Sequence, residues 1–197
     1  MTYSIGIYVF DDVEVLDVTG PYEVFTCASR IGAKATPDAP PFRVRTIGRT
    51  SALLRARAGL TVFPEADFGS TDIDVLIVPG GVIEAELARL DVIAWIAGVA
   101  RECELVAAIG TGAFLLVQAG LLDGRQAAPQ QPGAGSPPAF PEMRIEGKRH
   151  LIDNGAIVAA GGLISGIDLS LHLVERLTGR ELALATARHM DYGWGQS

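Results

Sequence analysis

At 197 residues, about half of them apolar, the chain is long enough to bury a full core and of a length that fits one domain spanning residues 1–197. A formal net charge of -7 leaves no basic face on which a run of phosphates could be neutralised, so nucleic-acid binding by this chain is not expected. The two cysteines, Cys27 and Cys103, stand in no metal or redox spacing, and the start of the chain has neither the basic residues nor the long apolar run of a secretory signal; the expectation is a cytoplasmic protein without cofactor or metal.

Tyr3 to Phe10 is uncharged, β-branched and aromatic, the composition of a parallel strand covered on both faces. A helix is predicted from Gly20 to about Arg30, with Pro21 in its first turn. Ala33 to Pro41 reads as a loop and Phe42 to Ile47 as a strand. Leu53 to Arg57 and Leu60 to Phe63 read as a hairpin around Ala58-Gly59. Asp74 to Val78 is a second apolar strand, stopped by Pro79-Gly80-Gly81. A helix is expected over Asp91 to Arg101. Glu104 to Ile109 is a third buried strand that turns through Gly110-Thr111-Gly112 into a helix from Ala113 to Ala119. The uncharged run Leu105 to Leu122 approaches the length of a membrane span, but Gly110, Gly112 and Gly120 fit a strand, a sharp turn and a buried helix better, and no membrane partner is expected.

Ala127 to Pro141, rich in proline and glycine, reads as an irregular loop. Met143 to Ile145, Leu151 to Asp153 and Ala156 to Ala160 read as short strands. Ser165 can cap a helix running to about Leu177, with Asp168 in its first turn and Gly179 as its stop, and a last helix covers about Glu181 to Met190. Repeated strand-then-helix units give an α/β fold of the flavodoxin-like kind, a doubly wound parallel sheet with helices on both faces, whose binding sites lie at the carboxyl ends of the strands.

Three features fall on that edge: Asp17, the pair Gly80-Gly81, and the elbow at Gly110-Thr111. Singly, each also has a structural reading, since an acid at a helix start answers the helix dipole and a glycine pair can simply end a strand. The elbow is more telling, because α/β enzymes place a nucleophile on such a turn. Here the projecting position is glycine, which keeps the backbone shape without a reactive group.

At this point the chain resembles the ThiJ/PfpI family of the class I glutamine amidotransferase-like superfamily, and within it the subgroup of isonitrile hydratase and the amidotransferase-like domains of AraC-type regulators. The resemblance is carried by Leu16-Asp17-Val18-Thr19-Gly20-Pro21-Tyr22-Glu23-Val24-Phe25, Leu76-Ile77-Val78-Pro79-Gly80-Gly81, Thr111-Gly112-Ala113-Phe114-Leu115-Leu116, Ala119-Gly120-Leu121-Leu122-Asp123-Gly124-Arg125 and Gly166-Ile167-Asp168-Leu169. It implies a homodimer and a site in which the residue before Thr111 is a nucleophilic cysteine, Asp17 hydrogen-bonds it, and the turn at Gly80-Gly81 offers amides to an oxyanion. This chain keeps the acid, the turn and the threonine and replaces the cysteine with Gly110. The family's Thr-Thr-His-Trp segment is replaced by Ala128-Pro129-Gln130-Gln131.

The candidate catalytic positions are therefore Asp17, Gly110 and Thr111, and the candidate ligand-binding positions Gly80, Gly81, Val82 and Gln130. Neither remaining thiol can substitute: Cys103 lies seven residues before the elbow, about 23 Å along an extended strand, and Cys27 ten residues beyond Asp17, about 15 Å along a helix. His172 falls in an apolar helical pattern, and neither it nor His150 or His189 has metal spacing. The expectation is a catalytically degenerate domain that binds a small ligand or serves regulation. The alternative is an isonitrile hydratase-like enzyme, either with Gly110 as a replaced nucleophile or with Asp17 activating water. A transcription factor's sensing domain is expected less, as no helix-turn-helix segment follows Ser197.

Overall fold

A computed structural model of the chain describes residues 1–70, 72–122, 151–161 and 165–194. The loop expected over Ala127 to Pro141, the strand at Met143 to Ile145, Gln130, His150 and the capping side chain of Ser165 lie outside the described residues.

The elements run β1 (Tyr3–Val9), α1 (Val15–Gly32), β2 (Phe42–Gly48), β3 (Leu54–Arg55), β4 (Thr61–Val62), β5 (Val75–Val78), α2 (Glu84–Leu87), α3 (Leu90–Glu102), β6 (Leu105–Ile109), α4 (Gly112–Gln118), β7 (Leu151–Asp153), β8 (Ile157–Ala160), α5 (Ser165–Thr178) and α6 (Arg180–His189). Six strands form one sheet in the order β2-β1-β5-β6-β8-β7, with every pairing parallel except that of the edge strand β7 with β8. Leaving out β3, β4 and β7, this is the 2-1-3-4-5 order of a flavodoxin-like sheet. Helices flank both faces: α1, α5 and α6 pack on one another, and α2, α3 and α4 form a second group.

The composition of the central strands explains their place. Every residue of β5 and β6 is buried, as is β1 from Ser4 onward, so these strands present apolar side chains to both helical layers. Ile5, Ile7, Leu76, Ile77, Leu105 and Ile109 are fully enclosed together with Phe25 of α1 and Phe114 of α4. At about 0.8 kcal/mol for each methylene removed from water, this core dominates the stability of the fold.

The first helix begins five residues earlier than its sequence signals predict, so Pro21 sits inside it rather than in its first turn. Proline costs a helix one backbone hydrogen bond. Tertiary packing outweighs that loss, since Gly20 and Pro21 lie against α5, where Ile167 and Gly166 are their neighbours. The hairpin forms as β3 and β4 around a tight turn at Arg57–Gly59, with Ala58 at φ 56° and Gly59 at φ 88°. The single helical turn α2 has no counterpart in the sequence pattern.

Candidate active site

The carboxyl ends of β1, β5 and β6 meet at one place, and their connections set its geometry. After β1 the chain turns through Asp12, at φ 61°, into α1, which brings Asp17 into its first turn. After β5, Gly80 and Gly81 cross directly beside that turn: the Glu14 amide donates to the Gly80 carbonyl at 2.8 Å and the Val82 amide to the Asp12 carbonyl at 3.1 Å. Gly81 adopts φ 146°, and a β-carbon there would collide with the Asp12 carbonyl and Val13 Cα. Glycine is required at this crossing by space as well as by conformation.

After β6, Gly110 takes φ 53°, the left-handed turn of an elbow, and Thr111 follows as the residue before α4. A β-carbon built on Gly110 would have Asp17 Oδ2 as its nearest neighbour, at 3.5 Å. The side-chainless position is thus aimed at the acid. Gly112 completes the elbow, because a β-carbon there would strike the Val78 and Pro79 carbonyls.

The turn amides are already committed. Gly80 N–H donates to Asp17 Oδ2 at 3.0 Å and Gly81 N–H to Thr111 Oγ1 at 2.8 Å, while the Thr111 hydroxyl lies 3.0 Å from the Gly81 carbonyl. The Val82 amide is held by Asp12, and its side chain is exposed. The structure therefore gathers Asp17, Gly80, Gly81, Gly110 and Thr111 into one cluster, with Val82 at its margin; Gln130 lies outside the described residues.

Asp17 is the group in this cluster that has capacity left. It is 3% exposed, and its Oδ1 has no hydrogen-bond partner among the described residues. Burial pushes its carboxyl from the ordinary 3.8 to about 7; the Gly80 amide opposes that rise and the nearby Glu14 charge adds to it. Desolvation therefore outweighs the Gly80 hydrogen bond. A carboxyl of this kind is divided between its two protonation states near neutral pH, so it can accept or donate a hydrogen bond.

Both thiols are distant from this chemistry. Cys27 is buried on α1, Cys103 precedes β6 at the opposite end of that strand, and burial pushes both up. His172 proves half-buried rather than packed in the core, with Nε2 2.6 Å from Asp153 Oδ2. Among the described residues, no group of three or more His, Cys, Asp or Glu side chains could hold a metal, and no helix is long and apolar enough to cross a membrane.

A carboxylate at the same sheet edge was missed by sequence reasoning. Glu86 of α2 is 1% exposed, with Tyr8 donating to Oε2 and Arg89 to Oε1. Burial and the Glu86 charge hold the Tyr8 hydroxyl far above its usual range. The only signal was the spacing of Glu86 and Arg89, three residues apart, which is common on solvated surfaces.

Comparisons with known proteins agree with this architecture. The model of the DJ-1/PfpI family matches residues 3–176. The isonitrile hydratase of Pseudomonas putida is 26% identical over 194 residues, covering 98% of this chain and 79% of that enzyme. The HTH-type transcriptional regulator GbdR of Pseudomonas aeruginosa is 27% identical over 192 residues, and this chain spans 50% of its length. Among solved structures, a ThiJ/PfpI family protein from Pseudomonas syringae superposes with a TM-score of 0.82 at 21% identity, over 98% of this chain and 76% of that one. Oxidised DJ-1 of Toxoplasma gondii superposes with a TM-score of 0.77 at 20% identity, over 98% of this chain and all of that one. With the elbow, the glycine crossing and the family match on nearly the whole sequence, the chain belongs to the DJ-1/PfpI family.

Proposed function

We propose that this chain is a single DJ-1/PfpI domain that has given up thiol catalysis and holds a small, neutral, hydrogen-bonding ligand at Asp17, for binding or regulation. The observation that carries this reading is the buried, unpartnered Oδ1 of Asp17 beside an elbow without a side chain. An unsatisfied buried oxygen is costly, by about 1–3 kcal/mol, and a ligand that donates to it recovers part of that cost. The Gly80, Gly81 and Val82 amides are engaged within the protein, so recognition centres on the acid. A homodimer, implied by the family, is the assembly expected in light scattering at micromolar concentration.

A second reading is favoured by the same carboxyl's value of about 7, which suits a general base at neutral pH. The similarity to an isonitrile hydratase supplies a reaction: water adds across the terminal carbon and nitrogen of R–NC to give R–NH–CHO, with Asp17 taking a proton from water and returning one to the product. The test is to incubate the protein with an aromatic isonitrile and follow formamide formation beside the Gly110→Cys variant. The expected outcome is negligible turnover by the unmodified chain, because losing a covalent nucleophile removes several orders of magnitude in rate. Turnover as fast as in Gly110→Cys, abolished in Asp17→Asn, would replace the binding reading with the water-activating one.

A further inference from the structure

A separate cavity of about 190 Å³ lies beyond the carboxyl ends of β1 and β2. Its walls are the end of β1 with Asp11, the loop after β2 from Arg49 to Leu54, and Arg89 at the start of α3. It shares no residue with the Asp17 cluster. Segments past the carboxyl ends of parallel strands are where open α/β sheets hold ligands.

Two guanidinium groups meet there from distant parts of the chain. Arg49 and Arg89 both line the cavity, and their side chains are 47% and 38% exposed, so both can be reached from solvent. They also act on one point: the hydroxyl of Tyr8, raised by burial and by Glu86, is drawn partly back by the charges of Arg89 and Arg49. Each guanidinium has donors left over. Arg49 uses Nη1 on Asp91 at 3.2 Å and Arg89 uses Nη1 on Glu86, whereas Nε and Nη2 of both have no partner among the described residues. Five N–H donors in a planar fork match the two oxygens of a carboxylate.

The neighbouring acids leave this potential in place. Glu86 is 1% exposed with both oxygens engaged, and Asp91 stands in solvent, where its pairing with Arg49 is screened. Asp11 lines the cavity, and its Oδ1 already accepts from the Arg55 amide at 2.8 Å. The lining thus sets two positive charges, Arg49 and Arg89, against one negative charge, Asp11. The sequence points the same way, since residues 39–64 hold Arg43, Arg45, Arg49, Arg55 and Arg57 and no Asp or Glu, in a chain of net charge -7. Two further lining residues complete the wall. Thr50 Oγ1 accepts from the Ala52 amide, which leaves its proton for another acceptor, and Leu53 is an aliphatic side chain left 53% exposed.

We propose that this cavity binds a small monocarboxylate with a short apolar tail, of the benzoate class. The carboxylate lies between Arg49 and Arg89, with the Thr50 hydroxyl as a further donor, and the tail rests on Leu53. One excess positive charge in the lining suits a single anionic group, and Asp11 disfavours a dianion such as phosphate. The size of the cavity restricts the ligand to a single ring, below the range usual for drug-sized molecules.

The probe is benzoate and the control is benzamide, the same shape without the charge, each titrated into the ¹⁵N-labelled protein. Benzoate is expected to shift the backbone amides of Thr50, Leu53 and Leu54, to saturate at millimolar concentration, and to bind more weakly as sodium chloride is raised. Benzamide is expected to bind at least tenfold more weakly, and inorganic phosphate to leave the benzoate response in place. Arg49→Gln, which breaks an ion pair that is already exposed, is expected to weaken benzoate at least tenfold while the remaining amide spectrum stays native. Arg49→Lys, which keeps the charge without the fork, is expected to lose part of that affinity. No saturable shift at these amides, equal binding of benzamide, displacement of benzoate by equimolar phosphate, or an undiminished response in folded Arg49→Gln overturns the proposal. The outcome is independent of Asp17, because the readout sits on the loop after β2.

Discussion

Asp17 and Glu86 are both carboxylates withdrawn from water, at 3% and 1% exposure, near the same edge of the sheet, yet their surroundings differ. Glu86 has each oxygen engaged, by the Tyr8 hydroxyl and the Arg89 guanidinium, and the Tyr8 ring itself lies against Phe10, Phe68 and Trp95. Asp17 has one oxygen on the Gly80 amide and the other on nothing among the described residues. A buried charge whose valences are filled from within is a structural tie, and one left partly unfilled is held ready for something from outside. The difference between them can be broken or sharpened by substitution.

The largest effect is expected at Glu86. Glu86→Ala leaves the buried Tyr8 phenol without its acceptor and a cavity where the side chain packed, together about 3–5 kcal/mol, while Arg89, 38% exposed, regains water. The loss is read as a lower denaturation midpoint in urea, with the slope unchanged. A loss below about 1 kcal/mol would show that Glu86 is no tie, and the contrast with Asp17 would fall.

Asp17→Asn is expected to act in the opposite direction and only at the alkaline side. The folded carboxyl holds its proton up to about 7 and the unfolded one releases it near 3.8. The native state therefore binds more protons than the unfolded state across that window, so stability is highest below 3.8, declines as pH rises to about 7 and is level above. The full difference corresponds to roughly 4 kcal/mol as a ceiling. Asp17→Asn removes the titrating group and keeps an oxygen for the Gly80 amide. Its advantage over the unmodified protein, absent at pH 4, is expected to grow to a few kcal/mol by pH 8. Paired urea titrations at the two pH values check this, and parallel profiles would mean that Asp17 is not desolvated.

Much of the site's frame is legible in the sequence because backbone chemistry alone determines it. Gly81 and Gly112 tolerate no β-carbon, and Gly110 takes a conformation that disfavours one, so the glycines after β5 and β6 announce the crossing and the elbow. The uncharged runs of β1, β5 and β6 likewise announce strands buried on both faces. What the sequence hides are commitments made between distant segments. That the Gly81 amide is spent on Thr111, or that Tyr8 reaches Glu86 across 78 positions, follows from how three loops converge and from no local pattern. The early start of α1 is hidden for the same reason, since Pro21 reads as a first-turn residue until its packing on α5 is known. His172 reads as a core residue from the helical pattern, and only the antiparallel return of β7 brings Asp153 to it.

Asp153 offers the smallest effect and a third arrangement: a carboxylate filled from within but open to solvent. It ends the edge strand β7 and is met by His172 Nε2 at 2.6 Å and by Arg176 at 2.9 and 3.0 Å, which ties the strand to α5. Partial burial pushes its carboxyl up, but the His172 and Gly155 hydrogen bonds and the Arg176 charge outweigh that and hold it below the ordinary 3.8. Here the sign of the pH dependence reverses. A lowered carboxyl contributes stability above its unfolded value and loses it as pH falls through the folded one, whereas Asp17 detracts from stability as pH rises. Because solvent screens the cluster, Asp153→Asn is expected to cost less than about 1 kcal/mol at pH 7. The cost should shrink further in high salt, where exposed ion pairs are weakened and the buried Glu86 tie is not. Denaturation of Asp153→Asn and Glu86→Ala side by side, in low and in high salt, measures that separation. Equal salt sensitivity in the two would show that Glu86 is reached by solvent ions and is a surface pair in effect.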